Sequence, residues 1–285
     1  MKFKEITQFT PSLSPFYYGE NCGIFKFRSR EIGGPYESLG EVIGADGQSF
    51  GFRAQMKRHP IDNSILMIVN SYAYNVEDFD FGYGFTLLRF HTGSINGPFT
   101  EHNVFELGRE TTTMGWQWDA DPNNTDEYRF DCRLADPSLL ILEDGSVLVG
   151  YRGTKCCCDG IIGTWGPCGE HEYESASYLR ADKWDGEYTR IGVPILGDWT
   201  DNEDLFLWQD SRGIHMLTHS HDNSHHNHAR RGGYAFSPDN GVTWRLSKDF
   251  EVWIEDFIVF DDCGGERLQR RQRPSLIFHP ETGRH

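Results

Sequence analysis

The chain contains no run of about 18 apolar residues, which excludes a membrane-spanning helix. Helical apolar periodicity never extends beyond a few turns, so a helical bundle is excluded as well. Positive charge is scarce: 27 Lys and Arg stand against 43 Asp and Glu, for a formal charge of −16. The average surface field of such a chain repels nucleic acid and acidic membranes, and neither is expected as a partner. The opening "MKFKEITQFTPSLSP" has no apolar middle of the kind a signal peptide needs. Any targeting segment is expected to be removed or never present.

What the chain does have is glycine, 31 residues of it, and aromatics at 14%. That composition suits many short strands joined by tight turns, and 285 residues suffice for one large all-β domain spanning 1–285. The stretch "FSPDNGVTWRL" is a hairpin in this reading. Asp239-Asn240-Gly241 turns it, and aromatic and β-branched runs flank the turn. Its S-x-D-x-G-x-x-W spacing resembles the Asp-box of sialidases and related propellers, which implies a structural fastener rather than a catalytic element.

Seven cysteines are more than a cytosolic β-protein usually carries, and Cys156, Cys157, Cys158 and Cys168 fall in one Gly-rich loop. The expectation is disulfides and an extracellular or secretory setting, with zinc at Cys168 and His171 as the rival. Asn123-Asn124-Thr125 is a glycosylation acceptor sequence consistent with that setting.

Self-similarity sets the expected fold. "LADPSLLILEDGSVLVGYRG", "NEDLFLWQDSRGIHMLTHS" and "FRAQMKRHPIDNSILMIVNS" share a plan in which an opening residue begins a strand, a polar turn reverses it and a second strand returns. Asp136, Asp204 and Ala54 stand at the opening positions, and Arg273-Pro274 starts a fourth copy. A second hairpin type follows each unit, so two hairpins form a four-stranded antiparallel sheet, one blade of a propeller. "SPFYYGENCGIFKFRS" reads as the second and third strands of a blade whose opening strand precedes Met1, and the last blade shows only its inner hairpin. A five-bladed propeller incomplete at both termini is expected, with a four-bladed ring closed by a split blade as the alternative.

"PFYYGE", "ADPSLLILEDGSVLVGY" and "NEDLFLW" resemble motifs of the five-bladed propeller glycoside hydrolases, the group containing family 43. A closer likeness is to secreted propellers with N-P-A-P, N-E-D-P-F-L-W and R-E-R-P at successive blade starts. The resemblance implies that strand beginnings converge on a central channel, where carboxylates flank a glycosidic bond. It implies Glu203 as general acid, Asp136 as the residue that orients and tunes it, and Asp204 as an assistant to either. The family's general base is an Asp on an opening strand of the first blade, and this sequence offers none.

Arg273 and Arg271, in the run "GERLQRRQRP", are candidates to face an anionic or hydroxyl-rich ligand, with Arg53 and His219 as further ligand contacts. The stretch "HSHDNSHHNHARRGG" is read as a histidine-rich surface loop, with a metal as the rival. No cofactor is required in this reading; a structural divalent cation is the one considered. Trp116, Trp118, Trp165 and Trp199 are read as packing between blades, with sugar stacking as the alternative. Three functions follow: a glycoside hydrolase acting on a carbohydrate; a carbohydrate-binding or structural propeller without the base; and a sialidase-like enzyme with Arg53, Arg152 and Arg273 as a triad.

Overall fold

The computed structural model describes residues 6–11, 24–30, 34–43, 49–73, 86–94, 97–102, 134–154, 174–191, 202–220, 231–247, 252–254, 257–259, 264–267, 273–276 and 278. All seven cysteines, Asn123 to Thr125, Arg271, the histidines from His221 to His228, and Trp116, Trp118, Trp165 and Trp199 lie outside these residues. So does the segment "SPFYYGE". Arg53 is described for its backbone only.

The described chain is all-β and antiparallel. β1 (Ile6–Pro11), β2 (Ile24–Ser29) and β3 (Glu37–Ile43) form the first sheet. β4 (Ser49–Arg58), β5 (Ile65–Ala73), β6 (Thr86–Gly93) and β7 (Phe99–His102) form the second. β8 (Leu134–Ile141), β9 (Val147–Thr154), β10 (Glu174–Ala181) and β11 (Thr189–Arg190) form the third. The fourth runs β12 (Asn202–Asp210), β13 (Gly213–Ser220), β14 (Arg231–Ser237) and β15 (Arg245–Leu246), with β16 (Trp253–Ile254) also on β14. β17 (Phe257–Val259) and β18 (Gly265–Arg267) make a separate two-stranded pair.

In the second and third sheets the second strand is buried on both faces, because each of these sheets lies between two others. In β9, Val147, Val149 and Tyr151 point into a core shared with Leu66, Ile68, Leu88 and Phe90 of the second sheet. The residue between the first two, Leu148, points the other way, into a core with Leu205, Leu207, Ile214 and Met216 of the fourth. The same period of two divides β5, whose Met67 and Val69 meet Ile24 of the first sheet. Beyond the fourth sheet, Phe206, Trp208 and Leu217 are covered by Leu276 and Phe278. Sheets therefore stack face to face in chain order, as blades do.

The Asp-box hairpin behaves as a fastener. Ser237 Oγ donates to Asp239 Oδ1 at 2.9 Å and accepts from the Gly241 N–H at 2.8 Å. The Thr243 N–H and hydroxyl donate to the two Asp239 oxygens at 2.8 and 2.6 Å. Trp244 then stacks on Tyr178 of the third sheet, with centroids 4.7 Å apart. The turn's fold explains its glycine: Gly241 has φ 91°, and a β-carbon there would lie 3.2 Å from Leu148.

Four expectations change. The strand paired with β2 is Ile6–Pro11 rather than the "PFYYGE" region; its Ile, Thr and Phe residues suit a ladder that matches β2 residue for residue. Residues 273–276 and 278, where the last inner hairpin was expected, carry no strand, and their Leu276 and Phe278 pack against the fourth sheet. The β17–β18 pair has no counterpart in the repeat. Ala54, finally, is one position out of line with Asp136 and Asp204.

That last shift follows from three bulges. β8 takes three steps from Ala135 to Ser138 while β9 takes two from Arg152 to Gly150. β12 does the same between Glu203 and Phe206, and β4 between Phe52 and Gln55. Aligned on their bulges, Arg53 matches Asp136 and Asp204, and Ala54 matches Pro137 and Leu205.

Candidate functional site

A β-bulge leaves an extra residue outside the ladder and redirects its side chain. Here the extra residues are Asp136, with φ 52°, and Asp204, with φ 55°. Arg273, first of the described residues 273–276, has φ 59°. A left-handed backbone is tolerated by Asp but uncommon for Arg, and such outliers concentrate at functional sites. All three line one cavity of about 130 Å³, together with Ala54, Gln55, Pro137, Leu205, Pro274 and Ser275. This is room for on the order of ten waters, more than a lone ion needs. Each wall comes from a different blade start.

Below the cavity the inner strands are tied to each other. The Leu207 N–H donates to Ser138 Oγ at 2.9 Å, across from β12 to β8. Ser138 Oγ in turn reaches Gln55 Oε1 of β4 at 3.5 Å, and Gln55 Nε2 reaches the Leu205 carbonyl at 3.5 Å. These contacts fix where the bulged residues sit around the axis.

Glu203 stands one residue before the bulge, in the place of Ala135, and is 7% exposed. It is absent from the residues lining the cavity. Its two oxygens are both engaged: Arg152 Nη1 donates to Oε2 at 2.9 Å, and His219 Nδ1 lies 3.1 Å from Oε1. Arg152 also brings Nε to 3.0 Å from Asp136 Oδ2, a close ion pair without the alignment of a hydrogen bond. Arg152 and His219 are equivalent residues of their second strands, paired with Ala135 and Glu203 respectively. The sequence reading placed Arg152 only in a sialidase-like triad. Its position beside "ADP" and "NED" in the repeat alignment is the signal that identifies its role.

Of the residues expected at the site, the structure brings together Asp136, Glu203, Asp204, Arg273 and His219. His219 is fully buried and meets Glu203 rather than the cavity. Arg152 is bound to two carboxylates, which removes it from the expected Arg triad. Arg53 and Arg271 have no described side chains.

Glu203, Asp204 and His219 offer ligand atoms within 4.8 Å of one another, a spacing a divalent cation accepts. The charges argue against one. Arg152 already holds Glu203 at 2.9 Å and Arg273 approaches Asp204 at 3.5 Å, so an added cation would sit beside two guanidinium groups and compete for the same oxygens. These residues do not fit a metal.

No family model matches the chain, and no curated protein matches it. Solved structures do. A family 43 β-1,3-galactosidase superposes with a TM-score of 0.52 at 13% identity, covering 87% of this chain and 44% of that one. An α-L-arabinanase from Cellvibrio cellulosa, solved with arabinohexaose, gives 0.55 at 11% over 86% of this chain and 74% of its own. A sialidase described as Hadza microbial gives 0.55 at 12%, over 88% and 45%. The chain thus spans about half the length of two of these three. At such identities the likeness is one of fold, shared alike with a galactosidase, an arabinanase and a sialidase.

Proposed function

We propose that this chain is a glycoside hydrolase whose bond cleavage takes place in the cavity formed by the blade starts, within a five-bladed ring. The observation that carries this reading is that Asp136 and Asp204, on equivalent bulges of neighbouring blades, line one cavity. Two carboxylates on either side of a glycosidic bond are what hydrolysis requires: one protonates the leaving oxygen and the other activates water.

The roles follow from the neighbours. Arg152, at 3.0 Å, favours the ionised form of Asp136, which suits it to take a proton from water. Asp204 lines the same cavity with a looser cationic partner, Arg273 Nε at 3.5 Å, and is the carboxylate left for the other role. Asp204 is therefore the proton donor. Glu203 has the donor role by resemblance, but a carboxylate held by Arg152 and His219 and set behind the cavity is a poor proton donor. In our reading it orients Arg152 and, through it, Asp136.

The test is a glycan panel followed by variants on aryl glycosides of the sugar that is turned over. Asp204→Asn should lose activity on poor leaving groups and keep it on dinitrophenyl glycosides, which need no proton. Glu203→Gln should lose both. The reverse pattern returns the acid role to Glu203. A second reading, glycan binding without cleavage, is supported by Ala54 and Gln55, which bring no carboxylate to their part of the cavity wall. Binding of a glycan with no turnover of any panel member selects that reading.

A further inference from the structure

One wall of the cavity is cationic. Among the described residues that line it, Arg273 is the single one with a positively charged side chain, and Ser275 of the same segment lines it too. Its side chain is 53% exposed. Among the described residues its ion pair is with Asp204 alone, made through Nε at 3.5 Å, which leaves the Nη1 and Nη2 edge of the guanidinium without a partner there. Arg152 contrasts with it at every point, being only 17% exposed and locked between two carboxylates at 3.0 and 2.9 Å. The backbone of Arg273 adopts φ 59°, which an arginine gains nothing from locally.

We propose that Arg273 and Ser275 form a subsite for an anionic substituent on the bound sugar, a uronic carboxylate or a sulfate ester. This rests on the reading of the cavity as a glycan site. A guanidinium edge offers two parallel N–H groups at the spacing of two oxyanion oxygens, and that fork geometry is what distinguishes Arg from Lys. Ser275, two residues on and lining the same cavity, carries a hydroxyl suited to be a third donor. The rest of the chain works against a general attraction for anions, since its formal charge is −16. A preference for an acidic sugar must therefore come from the wall itself. Asp204 is the internal competitor, and the 3.5 Å separation marks that contact as one a better-placed anion displaces.

The experiment is a titration of the full chain, at fixed ionic strength, with glucuronate, glucose 6-sulfate and glucose, followed by NMR or calorimetry. At least one acidic sugar should bind tenfold or more tighter than glucose, and which of the two does so distinguishes carboxylate from sulfate. Arg273→Ala should abolish the preference, bringing the affinity for the acidic sugar to within about twofold of that for glucose in the same variant. Arg273→Lys, which keeps the charge and loses the fork, should retain only part of it. A wild-type protein that binds neither acidic sugar tighter than glucose overturns the subsite, as does a preference that survives in Arg273→Ala. Because binding is read without turnover, a protein that hydrolyses nothing yet shows the preference upholds the subsite and rejects only the hydrolase.

Discussion

Removing one oxygen, that of Ser138, tests whether the inner strands are held together as described. Ser138 is fully buried and its hydroxyl accepts the Leu207 N–H at 2.9 Å from the neighbouring sheet. Ser138→Ala leaves that backbone donor buried without an acceptor, at a cost of about 1–3 kcal/mol. The second contact, to Gln55 at 3.5 Å, is too long to add much. A cost of about 2 kcal/mol lowers Tm by roughly 3–4 °C in a chain of 285 residues. The change has a functional component, because the bulges carrying Asp136 and Asp204 lie two residues before Ser138 and three before Leu207. Sugar binding should weaken at temperatures where the variant is still fully folded. Urea unfolding of wild type and variant gives the stability term, and titration with the bound sugar gives the other. A midpoint shift equivalent to less than about 0.5 kcal/mol, the usual effect of a neutral surface change, would refute the reasoning.

Gly241→Ala should destabilise by about 1–2 kcal/mol, since it combines a left-handed backbone with a β-carbon 3.2 Å from Leu148; an unchanged urea midpoint would show that the turn relaxes freely. Acid should destabilise the protein through its turns. The carboxyls of Asp62, Asp144 and Asp239 are held below the usual range by the hydroxyls of Ser64, Ser146 and Thr243 respectively, and that of Asp210 by Arg212. Each folded value is depressed, so the contribution is full above the unfolded value of about 3.9 and is lost as pH falls through the folded values. Melts from pH 7 down to pH 2 should show a loss beginning near pH 4, and Asp239→Asn should make it shallower. Lys57 is lowered by burial, which disfavours its charge, and its ammonium sits 5.0 Å from the Phe206 ring centroid. Lys57→Met should therefore raise the urea midpoint at pH 7, and a lower midpoint would mean that the ring contact outweighs the burial.

The inner hairpins were legible because their signals are local. Asp144-Gly145 and Asp62-Asn63 fix their turns, with Gly145 at φ 85° and Asn63 at φ 61°, and the flanking apolar runs have nowhere to go but into two cores. The Asp-box was legible for the same reason. The bulges were not. Phe52-Arg53-Ala54-Gln55 contains no residue that favours a left-handed turn, so the alignment drifted by one position and put Ala54 where Arg53 belongs. The first sheet misled for a different cause: "PFYYGE" is a stronger strand by composition than "ITQFTP", yet it is the latter that pairs with β2. Arg152 was overlooked as a partner for the carboxylates because it lies on a second strand, and a motif written along the first strand never reaches across the ladder to the residue opposite.

That cross-ladder view changes how the repeat should be understood. In the third and fourth sheets the inner hairpin supplies two positions at the same height: the bulged residue, which lines the cavity, and the residue paired with the one before the bulge, which holds Glu203 from behind the cavity. In the third sheet these are Asp136 and Arg152; in the fourth they are Asp204 and His219. The supports do not serve only their own blade. Arg152 reaches from the third sheet to Glu203 of the fourth, so a buried charge from one blade is satisfied by another, and losing Arg152 would take a cationic partner from two buried carboxylates, Asp136 and Glu203. Chemistry at the axis is thereby coupled to the packing of neighbouring blades. Substituting the bulged residues should change the charge that lines the cavity while the bulge geometry persists, whereas substituting the supports should disturb the interface that holds the bulges in place.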